Sequence, residues 1–156
     1  KLNELQFVTG KRESFRLMRD HILTEEDVVN KVEYPDAVVT TNWGIDLHYP
    51  DPENSKRFPG TEFIAYAVHN SKEKDIYTFP YRCLYSRNIS NLFMAGRNIS
   101  VTHIALGTVR VQRTTGMMGE VIGLAASLCK ERKCLPRDIY NYYLGDLFNL
   151  IDTGCL

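Results

Sequence analysis

The first half of the chain alternates apolar and polar positions, as strands do, and the second half repeats them at helical spacing. Phe15, Leu17 and Leu23 alternate with polar neighbours, which predicts a strand with one solvated face. Further runs of β-forming residues predict extended structure at 37–49, 62–68 and 75–84. The last two flank a polar hairpin loop, and Pro80 makes the final run an edge strand or ends it.

Helical patterns begin with a short segment and return near the end. Thr24 can cap a helix whose first turn is acidic and which ends near Lys31. From about Val109 an apolar stripe recurs at steps of three and four residues, formed by Val111, Thr115, Met118, Ile122, Ala125 and Cys129. A last helix is predicted from Pro136 to about Ile151.

The stretch 91–130 joins these two patterns. An unalternated apolar run at 92–95 predicts a strand covered on both faces, and a loop of small and polar residues follows at 97–108. The long helix then points its N-terminus at whatever lies beyond the strand. Its glycines, Gly116, Gly119 and Gly123, each cost up to ~1 kcal/mol relative to alanine, so close approach of the helix to a sheet or ligand is expected.

Length and charge narrow the classes of partner. With 156 residues the chain can form one domain with a true core, or two small lobes. Its 19 basic and 19 acidic residues balance, so no basic field predicts binding to nucleic acid or an anionic membrane. No apolar run approaches the ~20 residues of a membrane-spanning helix. The first residues lack the profile of a secretory signal, and the cellular compartment stays open.

Local motifs exclude several chemistries. The cysteines show no C-x-x-C spacing and the histidines are scattered singly, so no metal site is predicted. No serine lies in a G-x-S-x-G motif, and no three glycines match G-x-G-x-x-G. Trp43 could line a cavity, but a core position is favoured. His103 lies in the small-residue loop, where a hydrogen bond to the backbone is its ordinary role.

Four segments together carry a family resemblance, namely 80–84, 91–100, 103–111 and 118–126, which include Asn91-Leu92-Phe93-Met94-Ala95-Gly96-Arg97. The chain resembles the carboxyl-terminal part of bacterial FAD-dependent oxidoreductases with a glutathione-reductase-type fold. The resemblance implies an α+β fold in which a mostly antiparallel substrate-domain sheet is followed by a strand, loop and helix. The latter would complete an FAD-binding-type domain that is otherwise incomplete. The implied division is a substrate-domain portion at 1–86 and a portion of the FAD-binding domain, with terminal helices, at 87–156.

The resemblance also implies roles for individual residues. The flavin side of FAD would contact Gly96, Arg97, Ser100, Gly107, Thr108 and Val109. His103 and Arg110 would be catalytic, facing the isoalloxazine or the substrate. Three arginines, Arg12, Arg16 and Arg82, would bind a polar or anionic small-molecule substrate. The helix beginning near Val109 would direct its positive end to the flavin edge that gains negative charge on reduction.

The implied activity is hydride transfer between an organic substrate and FAD. An amino-terminal FAD-binding region is expected as the missing partner, so this chain alone is expected to be inactive. The alternative is a non-catalytic α+β module that binds a partner or self-associates through exposed apolar surface.

Overall fold

The computed structural model describes residues 15–50, 65–69 and 76–154. Arg12, predicted to bind substrate, lies outside the described residues. Within the described ranges the chain forms four strands, one 3₁₀ turn and five α-helices, so the predicted α+β class is confirmed.

The strands form two antiparallel pairs. They are β1 (Ala37–Thr41), β2 (Asp46–Pro50), β3 (Ala65–His69) and β4 (Tyr77–Pro80). β1 pairs with β4, and β2 pairs with β3, so the β2–β3 pair lies between β1 and β4 in chain order. The predicted hairpin between 62–68 and 75–84 is therefore wrong, because β3 takes β2 as its partner. The last strand does end at Pro80, where a 3₁₀ turn at Tyr81–Cys83 begins.

The helices are α1 (Glu25–Val29), α2 (His103–Val109), α3 (Gln112–Arg132), α4 (Pro136–Tyr142) and α5 (Leu144–Thr153). The Thr24 cap is confirmed, since its hydroxyl accepts the amide of Asp27 and the Asp27 carboxylate accepts the amide of Thr24. Two corrections concern the carboxyl-terminal half. The predicted loop contains α2, capped by Thr102, and the predicted last helix is interrupted at Tyr143.

Two predicted strands are reduced to single bridges. Leu23 forms a parallel bridge with Val101, and Phe93 forms an antiparallel bridge with Tyr85. The first segment instead lies along the loop before α2, where the Leu23 amide donates to Ser100 O at 3.0 Å. Leu23 O in turn accepts the amide of Thr102 at 2.9 Å. The predicted strand–loop–helix is thus a bridged segment, a short helix and then the long helix.

The buried stripe of α3 differs from the predicted one by about one position. It is formed by Thr114, Met118, Val121, Leu124, Ala125 and Leu128. Met118 and Ala125 are confirmed as core residues, whereas Ile122 and Cys129 pack at the edge of the core. The stripe covers β1 and the two terminal helices, and the same core includes Phe79, Ile99 and Ile139. Both predicted portions therefore contribute to one core, and the division at residue 86 stays a prediction.

The expected close approach of the helix glycines does not occur within the described part of the chain. Gly116, Gly119 and Gly123 lie on the exposed face of α3, and a Cβ added at any of them meets nothing within 4 Å. Gly107 in α2 is the glycine that makes a close contact, since its Cβ would lie 2.6 Å from Asp46 O. No helix among the described residues is long and apolar enough to cross a membrane.

We predict that Gly107→Ala lowers the free energy of unfolding by about 1–3 kcal/mol, because the new methyl forces α2 and β2 apart. Gly116→Ala is the matched control and should stabilise the protein by up to ~1 kcal/mol, since its Cβ enters open space in a helix. Urea denaturation of the two variants measures both effects. Equal stability of the two variants would contradict the packing of α2 on β2.

Candidate functional site

The start of α3 is held against the end of β1 by hydroxyl groups. The carbonyl of Trp43 accepts the Tyr77 hydroxyl at 2.9 Å and also the Thr108 hydroxyl. One turn into α3, Thr114 Oγ1 lies 3.0 Å from Thr41 Oγ1, and both side chains are buried. These bonds join α2, α3 and the two strands of the β1–β4 pair at one point.

A second group of contacts joins α2 to β2. Arg110 follows α2, and its Nη2 donates to Asp46 O at 3.1 Å and lies 3.3 Å from Asp46 Oδ2. Gly107 packs on the backbone of the same aspartate. The catalytic role predicted for Arg110 must therefore be compatible with a side chain that already bonds to β2.

A cavity of about 330 Å³ opens beside this junction. It is lined by Thr40, Thr41, Asn42, Trp43, Ile76, Val111, Arg113, Thr114 and Met117. The Trp43 side chain is 45% exposed there, so the favoured core position of this residue is wrong. The cavity adjoins the first turn of α3, for which the described residues supply no side-chain cap.

The Gly96 loop borders a second cavity, of about 470 Å³. Its lining residues are Phe15, Ala95, Gly96, Arg97 and Asn98. Gly96 has φ of +95°, a backbone conformation that residues with a side chain rarely adopt. Its amide lies 3.3 Å from the Met118 sulfur, which fixes this loop against α3.

The residues predicted to bind the cofactor divide into two sets. Gly96 is half-buried and Arg97 is exposed, both beside the second cavity. Ser100, Gly107, Thr108 and Val109 are all buried within the chain. His103 is exposed at the first position of α2, whereas Arg110 follows its last position, so the two predicted catalytic residues lie at opposite ends of one short helix. These roles stay predictions.

Arg82, which was predicted to bind substrate, lies in the turn after β4 and is paired with a buried carboxylate. Arg82 Nε and Nη2 donate to the two carboxylate oxygens of Asp36, each at 3.0 Å, and the guanidinium stacks on the Tyr140 ring. Asp36 is fully buried and also accepts the Arg82 amide. These hydrogen bonds raise the pKa of Arg82 above its usual value. Arg16, the other described arginine of this set, is half-buried near the start of the described chain.

The burial of Arg19 is a correction, because its charge predicts a place on the solvated face of the predicted strand. Arg19 is 2% exposed, and among the described residues no atom accepts a hydrogen bond from its Nε, Nη1 or Nη2. Burial lowers the pKa of Arg19 to about 10, partly opposed by the nearby Cys83 thiol. Conversely, two nearby apolar residues face solvent, since Phe15 is 92% exposed and Met18 is 55% exposed. A strict alternation from Leu17 through Leu23 contained the signal, since it places Arg19 on the inner face.

We predict that Asp36→Asn lowers the free energy of unfolding by about 2–3 kcal/mol. The loss reflects an arginine deprived of its counter-charge, moderated because the Arg82 side chain keeps 23% exposure. Asp152→Asn changes an exposed acid in α5 and should stay within about 0.5 kcal/mol of the wild type. Thermal and urea denaturation measure both. An Asp36→Asn variant as stable as the control would show that the Asp36–Arg82 pair does not stabilise the fold.

We predict that Arg19→Met raises the free energy of unfolding by about 1–4 kcal/mol, because a buried charge with no hydrogen-bond acceptor among the described residues is replaced by an apolar chain of similar length. Arg87→Met, at an exposed position, is the matched control and should change stability by about 0.5 kcal/mol at most. Destabilisation by Arg19→Met would instead reveal an anionic partner for this guanidinium, supplied from outside the described residues.

Comparison with known proteins bears on the site as a whole. A sequence model of the family described as FAD dependent oxidoreductase matches residues 1–147, which is most of the chain. No curated protein and no solved structure matches the chain. The match includes the residues that line both cavities. The chain belongs to the FAD dependent oxidoreductase family.

Proposed function

We propose that this chain supplies the flavin-side wall of an oxidoreductase that moves a hydride between a small organic substrate and FAD. The proposal includes the bacterial, glutathione-reductase-type form of the enzyme that the sequence resembles. The observation that supports it best is the first turn of α3, which the N-cap residue Val111 leaves without a side-chain cap, beside the 330 Å³ cavity. Family membership supports the cofactor, and the cavity supports its location.

The residues around the cavity suit a flavin ring. Ligand pockets usually measure roughly 300–1,000 Å³ and combine apolar walls with a few polar groups. Here Trp43, Ile76 and Met117 provide apolar surface, and the hydroxyls of Thr40 and Thr41 provide polar groups. Helical geometry leaves the amides of residues 112–114 without helical acceptors, so they are donors for an electron-rich ring edge.

The charge of the cavity favours a ligand that becomes more negative. Arg113 is exposed and lines the cavity, and no acidic residue is among the described lining residues. The positive end of the α3 dipole adds to the field of Arg113. When bound, a flavin accepts a hydride and its ring gains negative charge, which these groups stabilise.

Residues at the second cavity have a different role in the proposal. The bare backbone of Gly96 permits close approach of a ligand, and Arg97 offers a guanidinium to a phosphate or a polar chain. His103, exposed at the start of α2, is proposed to exchange a proton with substrate or solvent. Ser100, Thr108 and Val109 hold the backbone that presents these groups.

The ADP half of the cofactor needs another segment of polypeptide. The chain contains no G-x-G-x-x-G, the motif whose backbone amides bind the pyrophosphate in dinucleotide-binding folds. We therefore propose that an FAD-binding region outside this sequence completes the site. By itself the chain binds FAD weakly and does not turn over substrate.

The second candidate function is a non-catalytic module that binds a partner or associates with itself. The observation that favours it is exposed apolar surface, for example Phe15 at 92% and Ile76 at 70%. In that case the cavity beside α3 is a contact surface. The chain would associate without any change on addition of FAD.

We predict that Arg113→Gln, introduced into the protein that joins this chain to its FAD-binding region, makes the flavin harder to reduce. Loss of about 1 kcal/mol of charge stabilisation lowers the two-electron midpoint potential by about 20 mV. Lys130→Gln is the matched control, because this exposed cation lies roughly 25 Å further along α3 and is screened. Spectroelectrochemical titration of the bound flavin measures both potentials.

Two further variants of the joined protein separate the remaining roles. Arg97→Ala should weaken FAD binding by about tenfold, so that the flavin content at a fixed FAD concentration falls. His103→Ala should retain the flavin. A colourless wild-type protein that takes up no FAD would refute the flavin site. Light scattering on that protein, with and without FAD, then tests association as the alternative.

A further inference from the structure

The end of α3 brings two cysteines together. The helix ends at Arg132, and Lys133 follows with φ of +51°, a left-handed conformation that reverses the chain. The Cys134 amide then donates to Cys129 O at 3.0 Å. This is the closing bond of a Schellman-type cap, a motif that places the side chains of its first and last residues in contact.

The two residues at this contact are the cysteines Cys129 and Cys134. The Cys129 and Cys134 side chains lie close enough to interact electrostatically, and both residues are half-buried free cysteines. Burial raises the pKa of Cys129 to about 12, and its neighbour Cys134 adds to this effect. Cys83 differs, because it is fully buried and its thiol faces His21 O.

We propose that Cys129 and Cys134 form a redox-active dithiol, a site that is oxidised to an intrachain disulfide by small soluble disulfides. The cap already fixes the backbone of both residues, so closure requires little movement of the chain. Disulfides need Cα atoms within about 4.4–6.8 Å, and the backbone hydrogen bond from Cys134 to Cys129 already holds the two residues together.

The reaction proceeds by two exchanges. Cys134, as its thiolate, attacks a sulfur of the small disulfide, so that a mixed disulfide forms and one small thiolate leaves and takes a proton. The second cysteine loses its proton and attacks the protein sulfur of that mixed disulfide. The Cys129–Cys134 bond forms and the second small thiol leaves, so the protein loses two electrons and two protons to the small disulfide.

The basic residues between the two cysteines make the bond directly observable. Trypsin cleaves after Lys130, Arg132 and Lys133, so the cysteines fall in separate peptides, 114–130 and 134–137. These peptides remain joined only if the disulfide is present. The full chain is equilibrated with oxidised glutathione in about tenfold excess over reduced glutathione, blocked with a maleimide and digested without reductant.

We expect the joined peptide to hold more than half of Cys134 and to disappear on reduction. Cys129→Ser should leave Cys134 as a persistent mixed disulfide with glutathione, whereas Cys155→Ser should leave the joined peptide unchanged. The proposal is overturned if the wild-type protein keeps both thiols reduced or accumulates the same mixed disulfide as Cys129→Ser. Linkage of Cys134 to Cys83 or Cys155 would overturn it as well.

Discussion

The packing of α2 on the segment that joins β1 to β2 is the constraint on which the rest of the site depends. Gly107 allows the helix backbone to contact Asp46, and the Thr108 hydroxyl reaches the carbonyl of Trp43. A side chain at 107, or a bulkier residue in place of Thr108, would keep α2 from lying so close. Because α3 begins three residues after α2 ends, this contact also sets where the uncapped turn of α3 points.

The local features of the fold were predictable because they depend on nearby residues. A threonine followed by three acidic residues specifies the start of α1, and Pro80 ends β4 for lack of an amide donor. Strand partners depend on contacts far apart in sequence, so the pairing of β2 with β3 could not be read from polarity. The helix α2 was also not predicted, for a different reason. A threonine is equally typical of a loop, and its role as a cap is clear only once its hydroxyl is seen to accept the Ala105 amide.

The location of the flavin site stays a prediction. A helix N-terminus after a glycine-containing loop indicated the region, and described residues of that region border two cavities. Which side chains line them depends on the rotation of α2 and α3, which sequence spacing gives only to about one residue. Hence Thr108 and Val109 are buried, and Trp43 and Arg113 line the cavity instead. Arg19 shows the opposite case, a charged residue that an alternating pattern placed inside against all expectation from its polarity.

Under the proposed function, the positive groups at the cavity would allow a chain of zero net charge to favour an electron-accepting ligand. Overall neutrality gives little long-range attraction, so selectivity must come from groups within one Debye length, about 8 Å, of the ligand. Arg113 and the N-terminus of α3 both lie at the cavity. Asp36 and Asp46 are instead paired with arginines within the fold. Because those carboxylates are paired inside the fold, the described residues that line the cavity include a cation and no acid. A ligand whose charge becomes more negative in the reaction therefore gains stabilisation there without any need for a basic surface.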